Sequence, residues 1–158
     1  MQSETLDAFE KKLRAAREFE HTIEHEHGTA TFHIRLPTPG EQRLLAGPFF
    51  EGNRIPDGKL AAFNRALAEA VVVGWNGVTS RDLLPDLPEG SDAPLGFSQT
   101  ALRLVLDNRT DWQDELLQVA VAEKRRREEA LEADRKNSPS GSSGKVTSAR
   151  RAASKQSG

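Results

Sequence analysis

Pro85, Pro88 and Pro94, together with Gly90 and Gly96, fall between Thr79 and Gly96 and exclude a regular element of any length there. The chain must therefore place a long loop in the middle of the stretch Val71–Asn108 and build helices on both sides of it. Upstream, Leu60, Phe63, Leu67 and Val71 form a helical stripe, with Ala66 and Ala70 beside it allowing close approach of a neighbour. The valines at 71–73 continue that stripe in phase, which predicts a helix running to about Trp75 despite their stiff side chains. Downstream, Ser98 has the chemistry of an N-cap, and Phe97 and Leu102 occupy the two positions that staple the start of a helix over 99–107. Loops this long are uncommon in compact domains and are usually functional or mobile.

On the N-terminal side, Leu6, Phe9, Leu13 and Ala16 predict an amphipathic helix over Glu4–Arg17, capped by Ser3. From Phe19 the period changes to two. Phe19, His21, Ile23 and His25 alternate with Glu18, Glu20, Thr22 and Glu24, and Ala30, Phe32, Ile34 and Leu36 alternate with Thr31, His33 and Arg35. Gly28 supplies the positive φ of a tight turn, so the two runs read as a β-hairpin that Pro37 ends. A short helix over Glu41–Ala46 follows, then a loop whose Phe49 and Phe50 plug into the core. Thr110 and Gln113 read as a capping box opening a last helix, with Trp112, Leu116, Val119 and Ala120 as its buried stripe. Beyond Ala122, EKRRREEALEADRK sustains a helix by pairing opposite charges three and four apart.

The expected fold class is α+β: a small, mostly helical domain with an N-terminal β-hairpin and a disordered C-terminal tail. A single domain spans 1–136, with the charged extension starting at about 123, and 137–158 is a disordered basic tail without a large side chain. Charge follows the same division. Residues 1–122 carry 12 Lys/Arg against 19 Asp/Glu, a balance of −7, whereas 137–158 carry four positive charges and no acid. The absence of cysteine excludes a disulfide framework and a cysteine-ligated zinc site. No apolar run approaches the ~20 residues of a membrane span, and MQSETLDAFEKK lacks a signal-peptide core, so no membrane partner is expected.

Several chemical motifs dissolve on inspection. His21-Thr22-Ile23-Glu24-His25 has the H-x-x-E-H spacing of zinc proteases, which places both histidines on one metal only in a helix. On a strand they stand roughly 13 Å apart, too far to share an ion, so no metal is assigned. Gly52 to Lys59 has the wrong spacing for a phosphate loop, and Leu60 replaces the needed hydroxyl. Arginines 125–127 are flanked by Glu123, Glu128 and Glu129, without interleaved aromatics, which argues against nucleic acid as a partner. Asp82, Asp86 and Asp92 read as solvating residues. No catalytic residue, cofactor site or enzyme activity is assigned.

The sequence around the loop, Trp75-Asn76-Gly77-Val78 followed by Phe97, Ser98, Leu102, Val105 and Leu106, resembles the tail assembly chaperones of long-tailed bacteriophages. The hairpin EFEHTIEHEHGTATFHIRLP, the glutamate-bearing helix after it, AVVVGWNGV, PLGFSQTALRLVLDN and a charged final helix ending near KNS extend the resemblance over about residues 17–137. The longer loop at 79–96 and the basic tail depart from the family's pattern. The resemblance implies a non-enzymatic protein of the host-cell cytoplasm, absent from the mature virion, that keeps the tape-measure protein soluble while tail tube protein, a second candidate partner, polymerises around it. Alternatives are a minor structural tail or head-tail protein retained in the virion, and a small nucleic-acid-binding regulator. Leu83, Leu84 and Leu87 are odd choices for a mere connector. With Trp75 and Val78 they form the candidate partner-binding set: an apolar groove for helical segments of the tape measure, rimmed by Asp82, Asp86, Glu89 and Asp92.

Overall fold

A computed structural model describes residues 5–88 and 92–138 of the chain. The Ser3 cap, Glu89 and the greater part of the basic tail lie outside the described residues. The elements run in the order α1 (Leu6–Ala15), β1 (Glu18–His25), β2 (Gly28–Arg35), α2 (Pro39–Ala46), α3 (Asp57–Val71), β3 (Val72–Asn76), α4 (Ser80–Leu83), α5 (Gln99–Asn108) and α6 (Thr110–Lys136). A 3-10 turn, Gly47–Phe49, follows α2. The fold is α+β as expected, with one antiparallel sheet in the order β1-β2-β3.

The hairpin forms where the alternation placed it. His25 pairs with Gly28, whose φ of 139° is open to glycine, leaving Glu26 and His27 as the turn. One face of the pair carries Ile23, Ala30, Phe32 and Ile34, all buried, and Leu36 continues that row. The opposite face is open, and there Thr22 and Thr31 meet across the strands at 3.0 Å between hydroxyls.

The helix expected to reach Trp75 stops at Val71, and the chain continues as β3. Thr31, Phe32 and His33 of β2 pair with Asn76, Trp75 and Gly74. Ile34 then pairs with Val72, so Val73 is the extra residue of a bulge and faces outward while Val72 and Trp75 face the core. A run of β-branched residues gains more by completing the free edge of the hairpin than by prolonging a helix it stiffens. Gly77 follows with φ 83°. A Cβ there would stand 2.3 Å from the carbonyl oxygen of Thr29, so the close of β3 against the hairpin needs glycine.

Ser98 caps α5 by accepting the Ala101 N–H at 3.0 Å, and Leu102 is fully buried with Phe97 packed on the same core. At α6 the cap lies one residue earlier than expected: Thr110 is already helical, and the Gln113 N–H bonds the carbonyl of Arg109 at 3.1 Å. Trp112, Leu116 and Ala120 are buried, and Val119 packs against the core at its margin. Helix α2 starts at Pro39, two residues before the expected Glu41, with Thr38 Oγ1 accepting the Glu41 N–H at 3.0 Å. Ala68 and Val71 are the buried residues of α3; Leu60 at the stripe's start is exposed. Neither phenylalanine plugs the core: Phe49 is half-buried and meets Phe63 edge-on at 5.8 Å outside the core cluster, and Phe50 is exposed. The cap of α1 is Thr5, which accepts the Ala8 N–H at 3.3 Å, and α1 buries none of its side chains.

The chain divides into two compact units, 1–122 and 123–158. The hydrophobic core belongs to the first. In the second, Glu123 accepts from Arg126 at 2.6 Å and from Arg127 at 2.9 Å. Those hydrogen bonds lower the Glu123 carboxyl from its ordinary 4.5 to about 2.

Candidate functional site

The loop after β3 is more ordered than its prolines imply. Thr79 bridges Pro94, the Ser80 N–H reaches the Ala93 carbonyl at 2.9 Å, and the Leu95 N–H reaches the Val78 carbonyl at 2.8 Å, which closes the base of the loop like a short ladder. Inside it Ser80–Leu83 makes one helical turn, α4, against the expectation of no regular element. Proline 85 comes only after that turn is complete, so it does not interrupt it.

Asp82 holds this turn in place. Its Oδ2 accepts the backbone N–H of Thr79 at 2.8 Å, the backbone arm of a capping box. Its Oδ1 lies 3.0 Å from Nδ1 of His25, with an angle that falls short of a hydrogen bond's. The side chains are 0% and 4% exposed. Among the described residues Nδ1 accepts the His27 N–H at 3.4 Å, while Asp82 Oδ1 and His25 Nε2 are buried without a hydrogen-bond partner. Asp82 is therefore not a solvating residue. It is a buried carboxylate fastening the loop to the end of β1.

Aromatic rings surround this fastening. His25 lies 5.2 Å from Trp112 between ring centres, Phe32 meets Trp112 edge-on at 5.6 Å, and the Arg109 guanidinium stacks 4.3 Å from the Trp112 ring centre. Arg109 also grips Asp111 through two hydrogen bonds of 3.0 and 2.8 Å. That grip keeps the Asp111 carboxyl below, and the Arg109 guanidinium above, its ordinary range. A shallow cleft of about 450 Å³ opens here, lined by Glu24, His25, Glu26, Arg109, Trp112 and Glu115 among others. His21 and His25 do share the inward side of β1, but they face different carboxylates: His21 Nε2 meets Glu115 at 2.9 Å, and His25 meets Asp82.

The five candidate partner residues separate in the structure. Trp75 is buried, donates its Nε1–H to the Leu95 carbonyl at 2.7 Å, and meets Phe97 edge-on at 4.9 Å and Phe32 at 6.1 Å. Val78 is buried as well. Both hold the loop from beneath, so neither lines an open groove. Leu83 packs partly against the core and Leu87 is half-buried, whereas Leu84 is 61% exposed. Of the acidic rim, Asp86 is exposed, Asp92 pairs with Arg81 at 2.6 Å, and Arg81 also donates to the Pro88 carbonyl at 2.9 Å.

Sequence reasoning missed the Asp82–His25 fastening and the Arg109–Asp111–Trp112 cluster. One signal for the first was present: Thr79-x-x-Asp82 has the spacing of a helix N-terminus. Comparison with known proteins finds no matching family model, no matching curated protein and no matching solved structure. No helix of the described residues is long and apolar enough to cross a membrane.

Proposed function

We propose that this chain is a tail assembly chaperone of a long-tailed bacteriophage, acting in the host cytoplasm on the tape-measure protein and absent from the finished virion. The observation that carries the reading beyond the sequence resemblance is the loop itself: pinned at its base and through Asp82, it presents Leu84 to solvent beside half-buried Leu87 and exposed Asp86. A preordered apolar anchor with acidic neighbours suits apolar helical segments of a partner, because little further ordering is needed on binding. The acidic charge of residues 1–122 then keeps loaded complexes apart by repulsion.

Leu84→Ser combined with Leu87→Ser, co-expressed with the tape measure, tests this surface. The expected outcome is loss of soluble tape-measure protein with the melting temperature of the chaperone nearly unchanged. Full partner solubility with the double variant removes these leucines from the binding surface, and partner solubility that is the same with and without the chain overturns the chaperone reading altogether. Mass spectrometry of purified particles is the second check: finding the chain there favours a structural tail component.

A further inference from the structure

Helix α1 carries an apolar stripe that the rest of the described chain leaves uncovered. Leu6, Phe9 and Leu13 are 80%, 49% and 50% exposed, and no residue of the helix is buried. With Ala16 just past its end, the stripe repeats at spacings of three, four and three, the a/d seam by which two helices pack knobs into holes. A broader stripe would suit a helix lying on a domain surface. Charge is segregated along the same helix. Asp7 and Glu10 lie in its first half, and Lys11, Lys12 and Arg14 in its second. Within one helix this order suits the dipole and lets Glu10 bind Arg14 at 2.8 Å.

Between two helices the same order discriminates orientation. Side by side and antiparallel, the acidic half of one copy lies along the basic half of the other at both ends. A parallel pair would place acid on acid and base on base, which is destabilising. We propose that α1 is a self-association surface, and that its occupant is the α1 of a second copy of this chain in antiparallel orientation. Leu6 then faces Ala16 of the other copy and Phe9 faces Leu13, which fills all the layers of the seam. Ten residues of helix give a seam only about 15 Å long, less than a standard interface provides. The pairing is therefore weak and concentration-dependent, with a dissociation constant on the order of 10 to 1,000 μM. It is independent of the proposed function and uses a different surface from Leu84.

Sedimentation equilibrium of the full chain up to ~1 mM, a range set by that affinity, should give a monomer–dimer equilibrium. Leu6→Ser, Phe9→Ser and Leu13→Ser combined should weaken it at least tenfold, while the tryptophan fluorescence and melting temperature stay as in the parent, since these side chains are not part of the core. Two charge variants add the orientation-sensitive arm: Asp7→Lys with Glu10→Lys, and Lys12→Glu with Arg14→Glu. Each alone should lose self-association, and an equimolar mixture should regain it. A parent that stays monomeric throughout, a triple serine variant that associates as well as the parent, or charge variants that each dimerise alone as tightly as the parent overturns the proposal.

Discussion

Asp82 on the single helical turn of the loop lies 3.0 Å from His25 at the end of the hairpin, and both side chains are shut off from water. Removing the carboxylate leaves the Thr79 N–H without its cap and the imidazole without its partner. Asp82→Ala is expected to destabilise the fold by about 2–4 kcal/mol, measured by urea unfolding. Asp82→Asn keeps the shape and an acceptor for Thr79, so a smaller loss is expected; equal losses in the two variants would mean that charge dominates over the cap.

Gly77 is the second sensitive point. Gly77→Ala adds a Cβ 2.3 Å from the Thr29 carbonyl at a φ of 83°, and the neighbour is backbone that cannot step aside cheaply. A loss of about 2–3 kcal/mol is expected from the combined strain. Gly96→Ala, where an added Cβ meets nothing within 4 Å, serves as the control and should change stability by less than about 0.5 kcal/mol.

Trp75→Phe separates the core role of this residue from a partner role. The variant retains an aromatic ring against Phe32 and Phe97 but leaves the Leu95 carbonyl without its donor, at a cost of about 1–3 kcal/mol. Stability should fall while affinity for a soluble tape-measure fragment, measured below the melting transition, stays within twofold. A large loss of affinity with the melting temperature unchanged would return Trp75 to the binding surface.

The charged end of α6 should respond to acid. Glu123 has a folded pKa of about 2, below its ordinary 4.5, because Arg126 and Arg127 donate to its carboxylate. A depressed carboxyl pKa contributes stability that is present above about 4.5 and is lost as the pH falls towards 2. Amide exchange at residues 123–136 should therefore be steady from pH 7 to 5, after correction for the intrinsic rate, and show reduced protection between pH 4 and 2. Glu123→Gln should abolish that local step.

Much of the fold was legible because its signals are local. The period-two runs at 19–25 and 30–36 announced the hairpin, and the Ser98 cap with Phe97 and Leu102 announced α5. β3 was not legible, since Val71 to Val73 continue the helical stripe in phase and what diverts them is the unpaired edge of β2, a partner far upstream. Asp82 was misread for the same reason: its counterpart His25 lies on another element. Leu83, Leu84 and Leu87 were identifiable only as a group, as anomalous for a linker. Which of their neighbours face the core could not be read, because the positions of Trp75 and Val78 depend on the bulge at Val73 and on the tight approach of Gly77.

The ladder at the base of the loop has a consequence for how the chain can change over generations. Because Val78, Thr79 and Ser80 are already joined to Ala93, Pro94 and Leu95, the ends are brought together by bonds that do not involve the far side. Extra residues between Pro88 and Asp92 would add only the slow logarithmic closure cost, about 0.6 kcal/mol for a doubling in length. The exposed Leu84 and the stretch beyond it can thus vary while the sheet, the tryptophans and the buried carboxylate stay as they are.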